Sequence, residues 1–280
     1  MTTLGKYELI EQLGSGATSE VYRAKDTVLN REVAIKILWP ALMIDSTAFT
    51  RFVHEARAAS ELFHPNIATV LDWGESKGRY YLVMRYFPGI PLHRLIQQNG
   101  KLEWNQIIEL AEQIGDALDY AHAQGFIHRD IKPSNIICTP TGKFILTDFG
   151  LTRAMMSTGV TTHTGAILGT PPYIAPEIWD GEVAQPASDQ YALACVLFEA
   201  ATGRTLFNGP TPPSVMRQHF KPVSLPEAWP ADVRDALTRA LDQDAKARFK
   251  RCADLVAALR GDEQATEEEM APPRGALAAT

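Results

Sequence analysis

The chain is best understood from one segment, which reads His128-Arg129-Asp130-Ile131-Lys132-Pro133-Ser134-Asn135. It brings a carboxylate, a lysine and an amide together, and a second carboxylate follows in Asp148-Phe149-Gly150. A carboxylate can accept a hydroxyl proton, and a lysine can neutralise a phosphate oxygen. An amide and a carboxylate also offer the hard oxygen atoms that divalent cations prefer. Either triplet alone is typical of an ordinary loop or turn, but together they supply what phosphoryl transfer requires.

Length and composition indicate a folded protein without a polyanion partner. The chain has 280 residues, of which 45% are hydrophobic, enough for one large domain or two lobes with their own cores. Its formal net charge is -6 and its isoelectric point is about 5.7. Nucleic-acid-binding surfaces depend on clustered lysine and arginine. We therefore expect no nucleic-acid partner.

The cysteine spacing and the lengths of the apolar segments indicate where in the cell the protein lies. Cys138, Cys195 and Cys252 are far apart and lack Cys-x-x-Cys spacing, so the sequence suggests neither a disulfide framework nor a zinc site. A run of roughly 18 apolar residues is absent from the sequence, as is the apolar core of a signal peptide. We expect a cytoplasmic location. The change to Glu, Pro, Gly and Ala over 261–280 predicts a disordered acidic tail or linker.

The first part of the chain is typical of strands joined by a turn of small residues. Apolar residues begin at Tyr7, and the turn reads Gly14-Ser15-Gly16-Ala17-Thr18-Ser19. Glycine permits close backbone approaches, so this turn can lay its amides over phosphates, although such a glycine pair is commonly only a turn. A strand follows, without a Gly-Lys-Ser/Thr ending, and this disfavours P-loop and dinucleotide-binding motifs.

A lysine stands inside the next strand, which reads Val33-Ala34-Ile35-Lys36-Ile37-Leu38. The two-residue period of a strand places Lys36 on the face opposite Ile35 and Ile37. A lysine among apolar residues is costly without a partner. The predicted partner is Glu55, which borders an apolar stripe of helical spacing nineteen residues further on. The alternative is that Glu55 is an ordinary solvated helix residue.

The pattern then changes from strands to helices. Tyr80-Tyr81-Leu82-Val83-Met84 predicts a strand, and Arg85-Tyr86-Phe87-Pro88-Gly89 breaks it as a connector. Apolar residues at i, i+3, i+4 and i+7 predict a long buried helix that starts at Trp104 and ends near Gly125. The segment 188–199 is apolar on nearly all sides and predicts a central helix. Two shorter amphipathic helices are predicted over 231–241 and 252–260.

Taken in order, these motifs resemble one family. The glycine-rich loop, the Val-Ala-Ile-Lys strand, the His-Arg-Asp loop, Asp-Phe-Gly and Ala175-Pro176-Glu177 match the protein-kinase signature set. The chain resembles the catalytic domain of a eukaryotic-like (Hanks-type) serine/threonine protein kinase of the bacterial type. The resemblance implies an α+β, bilobal fold with a small antiparallel-sheet N-lobe, which carries one helix, and a larger helical C-lobe. The implied kinase domain covers 1–260, with the N-lobe over 7–84, the hinge over 85–89 and the C-lobe over 90–260.

The resemblance also implies the catalytic residues. Lys36 would bind the α- and β-phosphates of ATP while paired with Glu55. Asp130 would act as base toward the substrate hydroxyl, and Lys132 would contact the γ-phosphate. Thr170 stands where serine/threonine kinases place a threonine that bonds this aspartate and lysine. Together, Lys132 and Thr170 imply specificity for serine and threonine hydroxyls.

The cofactors implied are ATP and Mg²⁺, with Mn²⁺ as a substitute. Asn135 and Asp148 would ligate the metal. Met84 would be the gatekeeper beside the adenine, and the backbone at 85–87 would bond the adenine edge. The residues implied to contact the nucleotide, in addition to Lys36, are Leu13, Gly14, Ser15, Gly16, Ala17, Thr18, Ser19, Val21, Ala34, Met84, Arg85, Tyr86, Phe87 and Ile137.

Other residues are given structural or regulatory roles by the resemblance. Asp189 would anchor the catalytic loop, and Glu177 would pair with Arg248. Arg129, which precedes the base, marks kinases whose catalytic loop receives a phosphate from the activation segment.

The implied phosphate acceptors are Thr162 and Thr164, in a threonine-rich loop that we expect to be autophosphorylated. The alternative is that this loop is polar and flexible, without a regulatory role. Phosphorylation would add roughly -1.5 to -2 charge at each site.

The sequence departs from the family pattern at two positions, and two other functions remain as alternatives. Ser19 replaces the third glycine of the loop, and Arg85 replaces the common hinge glutamate, yet neither removes a catalytic group. One alternative is a catalytically weak, pseudokinase-like scaffold that binds nucleotide. The other is a small-molecule phosphotransferase such as an aminoglycoside kinase, which typically lacks the Gly-Thr-x-x-Tyr-x-Ala-Pro-Glu segment that is complete here.

The partners implied are ATP, protein substrates with serine or threonine, and the chain itself as an autophosphorylation substrate. Family analogy adds a homodimer and the placement of this domain on the cytoplasmic side of a membrane-anchored kinase.

Overall fold

The computed structural model describes residues 3–16, 19–39, 56–57, 59–149 and 170–261. The N-terminal lobe is built on an antiparallel sheet whose strands lie in the order β1-β2-β3-β4-β6-β5. The strands are β1 Thr3–Leu4, β2 Tyr7–Ser15, β3 Ser19–Asp26, β4 Arg31–Leu38, β5 Val70–Ser76 and β6 Arg79–Arg85. Residues 56, 57 and 59 are helical, and Ala56 and Ala59 pack against this sheet.

The two faces of the sheet follow the alternation in β4. Ile35 and Ile37 are buried in one cluster with Tyr7 and Val83, while Leu38 belongs to a second cluster with Met84. Successive strand residues point to opposite faces, so Lys36 shares the face of Leu38 and Met84. This face is turned toward the C-terminal lobe, because Lys36 reaches a residue of that lobe, as described below.

The C-terminal lobe is mainly helical. Its helices are α1 Leu92–Asn99, α2 Trp104–Ala123, α3 Pro176–Trp179, α4 Pro186–Thr202, α5 Pro212–His219, α6 Ala231–Ala240 and α7 Cys252–Arg260. A small antiparallel sheet of β7 Ile90–Pro91, β8 Ile136–Cys138 and β9 Phe144–Leu146 lies toward the other lobe. Two short 3-10 turns, Pro133–Asn135 and Pro171–Tyr173, hold functional segments.

Helix α4 is the centre of this lobe, and it is buried along almost its whole length. Pro186 begins the helix, where a missing N–H costs nothing. Gly203 ends it with φ +74, and a Cβ at this position would also collide with the carbonyl oxygen of Gly100. The left-handed backbone and the close approach both require glycine. The apolar segment 188–199 therefore lies inside α4, and other C-lobe helices pack against it.

Where the helix and strand bounds differ from the sequence predictions, the differences are small. Strand β2 continues through Gly14 and Ser15, because both residues pair with β3, so the turn is shorter than the small-residue segment suggested. Strand β5 was not predicted. Across the part of the chain that the structure describes, we find no helix that combines the length and apolarity needed to span a bilayer.

Candidate active site

The N-lobe contributes Lys36, which projects from β4 toward the C-lobe. Its side chain is 10% exposed, and its Nζ lies 2.8 Å from Oδ1 of Asp148. Burial alone would raise the pKa of the Asp148 carboxyl, but the Lys36 ammonium outweighs burial and holds that pKa below its ordinary value. The aspartate is therefore ionised at neutral pH. The predicted partner of this lysine, Glu55, lies outside the described residues.

Two residues at the site adopt the left-handed backbone region although they are not glycine. Arg129 has φ +69 and Asp148 has φ +67. This region is uncommon for side-chain-bearing residues, and held conformations of this kind cluster at functional sites. Arg129 directly precedes the candidate base Asp130, and Asp148 directly precedes the buried Phe149. One of these positions is therefore next to a carboxylate that the sequence indicated, and the other is such a carboxylate.

The catalytic loop gathers three functional side chains around Asp130. Lys132 Nζ lies 2.7 Å from Asp130 Oδ2 and donates to Thr170 Oγ1 at 3.1 Å. The amide Nδ2 of Asn135 donates to the Asp130 carbonyl oxygen at 2.8 Å and to Oδ2 at 3.0 Å. These contacts fix the Asp130 carboxylate between a cation and an amide.

Backbone hydrogen bonds bring the two candidate metal ligands together. The carbonyl oxygen of Asn135 accepts from the N–H of Thr147 at 2.9 Å and from its hydroxyl at 3.1 Å. Asp148 follows Thr147 directly, so these bonds bring the backbone of Asp148 close to that of Asn135. Because both amide hydrogens of Asn135 can be used by Asp130, its Oδ1 remains as an acceptor. A carboxylate and an amide oxygen are a donor set that fits a hard divalent cation.

His128 lies beneath this loop and was not assigned a role from the sequence. It is buried, its Nε2 lies 2.8 Å from the Thr147 carbonyl oxygen, and its Nδ1 accepts from the Asp130 N–H at 3.2 Å. Burial lowers the pKa of His128, so these partners indicate a neutral ring that carries its hydrogen on Nε2. Phe149 packs edge-on against it at 4.6 Å between ring centroids. The ring thus joins the base-bearing loop to the segment around Asp148.

Asp189, on α4, holds the start of the catalytic loop. It is 1% exposed, and its two carboxylate oxygens accept from the backbone N–H groups of His128 and Arg129, each at 2.8 Å. The Nε2 of His122, on α2, lies 2.8 Å from the same carboxylate. His122 was missed in the sequence, because only the folded packing of α2 against α4 brings it to Asp189.

A second buried ion pair lies behind segment 170–177. The Arg248 Nη1 and Nη2 donate to the two carboxylate oxygens of Glu177 at 2.9 and 2.8 Å. The Ser188 hydroxyl also donates to Glu177 at 2.7 Å. Burial would raise the pKa of Glu177, but these donors, above all Arg248, lower it on balance. The pair ties the end of the activation segment to the loop before α7.

The residues implied to contact the adenine lie near Lys36, because Val21 pairs with Lys36 and Ala34 pairs with Met84 across the strands. Val21 and Ala34 on the N-lobe sheet, and Ile137 on β8, are half-buried, whereas Met84 is buried. In the connector, the N–H of Arg85 donates to the Thr69 carbonyl oxygen at 3.0 Å. The Arg85 N–H is therefore used within the N-lobe.

The structure describes the glycine-rich loop on either side of residues 17 and 18. Leu13 is half-buried and Ser19 is buried, while Gly14 and Ser15 end β2 and Gly16 follows it. The Gly16 N–H donates to the Ser19 carbonyl oxygen at 2.8 Å, and the Gly16 carbonyl accepts from the Trp39 indole at 3.0 Å. Ala17, Thr18, Thr162 and Thr164 lie outside the described residues.

Comparison with known proteins gives a consistent result. Residues 7–260 match the family model described as a protein kinase domain. The chain is 39% identical to the serine/threonine-protein kinase PknA of Mycobacterium tuberculosis over 288 aligned positions, which cover 99% of this chain and 67% of that protein. It is 38% identical to PrkC of Bacillus subtilis, with 91% of this chain and 40% of that protein covered. The chain thus spans about two thirds of the first relative and less than half of the second.

A solved structure agrees with these sequence matches. The crystal structure of the Mycobacterium tuberculosis PknI kinase domain superposes with a TM-score of 0.74 at 29% identity. The match covers 93% of this chain and 96% of that one.

Proposed function

This chain belongs to the protein kinase domain family as a bacterial, eukaryotic-like serine/threonine kinase domain, and from that premise we propose how its residues share the reaction. The domain transfers the γ-phosphoryl group of ATP to serine and threonine hydroxyls of proteins. Two groups of contacts carry this proposal, and hydrogen bonds from Thr147 to the Asn135 carbonyl oxygen join them. The groups are the pair of Lys36 with Asp148 and the set of Asp130, Lys132 and Asn135. Two of these five residues are cations, two are carboxylates and one is an amide, which is the set that phosphoryl transfer requires.

Asp130 is the group that receives the hydroxyl proton. Its carboxylate is oriented by Asn135 and by Lys132, so it can hold a substrate hydroxyl in line with the phosphate. Lys132 bridges the Asp130 carboxylate and the Thr170 hydroxyl, and its charge neutralises the γ-phosphate oxygens. Since the reaction involves little covalent chemistry by the protein, positioning and charge account for the catalysis.

Lys36 and the metal ligands bind the phosphate chain. We assign the α- and β-phosphates to Lys36, paired with Glu55 in the nucleotide complex, and we assign Mg²⁺, or Mn²⁺ in its place, to Asn135 and Asp148. When bound, the metal neutralises the charge that the phosphate oxygens carry. Asp148 is ionised at neutral pH and lies beside Lys36. The Lys36 ammonium can therefore bind the phosphates of a metal–nucleotide complex while the Asp148 carboxylate binds its metal.

The cleft above Lys36 binds the adenine. Val21 and Ala34 cover one side of the ring, Ile137 covers the other, and the connector backbone at 85–87 bonds its edge. The half-buried state of the three apolar side chains supports this placement. Residues 14–19 cover the phosphates. A scaffold that binds nucleotide without transfer is not favoured, because the named relatives are serine/threonine protein kinases and the sequence keeps each residue to which we assign a catalytic role.

The transfer itself is tested with ATP labelled on the γ-phosphate. Wild-type protein with Mg²⁺ and a mixture of serine- and threonine-containing peptides should give labelled phosphoserine and phosphothreonine. The Asp130→Asn variant should give little label, while it still binds ATP. Absence of label with the wild type, or undiminished label with Asp130→Asn, would overturn the proposal.

Autophosphorylation of Thr162 and Thr164 is the regulatory part of the proposal. Arg129 adjoins the base, and its backbone N–H donates to Asp189; we assign its guanidinium to the phosphate of the threonine-rich loop. A charge-assisted contact of this kind can order a loop. Mass spectrometry after incubation with ATP and Mg²⁺ should find phosphate on both threonines in the wild type but not in Asp130→Asn. If the wild type carries no phosphate at either threonine, this regulatory role is excluded.

A further inference from the structure

His219, the last residue of α5, connects three parts of the C-lobe. It is 1% exposed, its Nδ1 lies 2.8 Å from the Tyr191 hydroxyl, and its Nε2 lies 2.8 Å from the Pro171 carbonyl oxygen. A carbonyl oxygen can only accept a hydrogen bond, so Nε2 carries the hydrogen and Nδ1 accepts from the hydroxyl of Tyr191. Both nitrogens of a neutral imidazole are thereby used.

The surroundings keep this ring neutral and in place. The Phe207 ring lies 3.9 Å away between centroids, and the Tyr191 ring lies 5.8 Å away. Burial among these groups lowers the pKa of His219 to about 4. At neutral pH the ring therefore donates one hydrogen bond, and that bond goes to the backbone of Pro171.

Pro171 lies immediately beside the catalytic groups. It begins the 3-10 turn Pro171–Tyr173, and Thr170 before it accepts the hydrogen bond from Lys132. At the other end of the turn, the Tyr173 hydroxyl donates to Glu199 on α4 at 2.5 Å. The turn is thus fastened to α4 at Tyr173 and to α5 through His219. Without the second attachment, the Pro171 backbone loses its bond to α5, and the contact of Thr170 with Lys132 is, among the described residues, the one that remains at that end of the turn.

We propose that His219 is a positioning residue for the protein substrate, because it fixes the Thr170–Pro171 backbone beside the base and the γ-phosphate lysine. This inference rests on the proposed function and names a determinant of peptide binding at the same site. His219 acts through the turn next to Thr170, and its partners Tyr191, Pro171 and Phe207 are not among the residues assigned to ATP. Its loss should therefore weaken peptide binding and leave ATP binding unchanged.

Three substitutions separate the hydrogen bond from the packing. His219→Phe keeps an aromatic ring but donates nothing, and His219→Asn places an amide near the Nδ1 position alone. His219→Gln can place an amide N–H near the Nε2 position and restore the bond to Pro171. His64→Phe is the matched control, because His64 also uses both ring nitrogens, toward Asp116 and the Asn66 N–H, in the loop before β5.

The readouts are KM for peptide, KM for ATP and the thermal midpoint of each variant. We expect His219→Phe and His219→Asn to raise KM for peptide about threefold to tenfold, the effect of losing one hydrogen bond. KM for ATP should stay within about twofold, and His219→Gln should recover most of the peptide affinity. His64→Phe should lower the thermal midpoint without changing either KM.

The outcomes distinguish this inference from the proposed function. A wild-type chain that labels no peptide overturns both. A wild-type chain that labels peptide overturns only the role of His219 if all three variants keep the wild-type KM for peptide, or if both KM values rise together. Should His219→Phe fail to fold, the contrast between His219→Asn and His219→Gln decides the matter by the same criterion.

Discussion

The molecule contains two pairs of a cation with a carboxylate, one between the lobes and one inside the C-lobe, and the pairs differ in burial and in partners. At the catalytic centre, Lys36 and Asp148 form one contact of 2.8 Å with side chains 10% and 21% exposed. Behind segment 170–177, Arg248 and Glu177 are 0% and 6% exposed and share two hydrogen bonds. Each pair joins one cation to one carboxylate, but Arg248 and Glu177 share more hydrogen bonds than Lys36 and Asp148 do.

The difference shows how one kind of interaction serves two purposes. Arg248 also donates to the carbonyl oxygens of Asp242 and Ala187, so its planar guanidinium is held by acceptors on three segments of the chain. A lysine ammonium is a compact point charge on a flexible stem, and it can exchange one oxygen partner for another. The arginine pair therefore stabilises the fold. In the lysine pair, by contrast, Lys36 can exchange Asp148 for a phosphate oxygen, and Asp148 is then available to a metal ion.

The largest expected effect is on the rate and concerns Asp130→Asn. General-base groups contribute about 10²- to 10⁴-fold, so single-turnover transfer from labelled ATP should fall by this factor. The thermal midpoint should change little, because the amide can still accept from Asn135 and Lys132. If this variant unfolds instead of losing activity, the proposed division between catalytic and structural pairs is wrong.

The next effect is on stability and concerns Arg248→Met. Removing the arginine leaves the Glu177 carboxylate buried without its cation, a change that costs about 3 to 5 kcal/mol. Urea unfolding should show this loss. Lys6→Met is the control, because it breaks the half-exposed pair with Asp72, and pairs at the surface contribute little. Equal effects of the two variants would contradict the comparison.

A third effect is on pH dependence and comes from His219. Its pKa is about 4 in the folded chain against 6.5 ordinarily, so below pH 6.5 the unfolded chain binds a proton that the folded chain does not. The free energy of unfolding therefore has no penalty from His219 above pH 6.5. It decreases as the pH falls from 6.5 toward 4, by about 3 kcal/mol in total. Unfolding measured between pH 7 and pH 5 should show a smaller slope in His219→Gln. Identical slopes would show that the ring is not held neutral.

The smallest effect concerns Trp39, whose indole donates to Gly16 at the glycine-rich loop. Trp39→Phe removes one exposed hydrogen bond, so the affinity for ATP should fall about twofold to threefold. The affinity for adenosine, which lacks phosphates, should stay the same. Trp104→Phe, at the start of α2, is the control and should change neither. A loss of adenosine affinity would place the effect of Trp39 on the adenine cleft and not on the loop.

Much of the fold could be predicted from local pattern. The family and the bilobal α+β fold are confirmed, and the long helix from Trp104 follows its apolar period to Ala123. Strand β5 escaped prediction because Asp72, Gly74 and Glu75 interrupt its apolar character. It is a strand because it forms backbone pairs with β6. This pairing depends on a neighbouring strand and not on the local sequence pattern.

The site was predictable only where residue type and order carry the chemistry. Lys36, Asp130, Asn135 and Asp148 were selected in this way, and the structure brings these four together. His219 gave no such signal, because its meaning lies in contacts with Tyr191 and Pro171, which are 28 and 48 residues away in the chain.

The most direct test concerns the metal that Asp148 and Asn135 are proposed to hold. Mn²⁺ binding can be followed by electron paramagnetic resonance with a non-hydrolysable ATP analogue, in the wild type, in Asp148→Asn and in Asp72→Asn. We expect Asp148→Asn to weaken Mn²⁺ binding by at least about tenfold, while Asp72→Asn, which changes a carboxylate paired with a lysine elsewhere in the N-lobe, leaves it unchanged. Equal Mn²⁺ affinity in all three proteins would contradict the assignment of the catalytic centre.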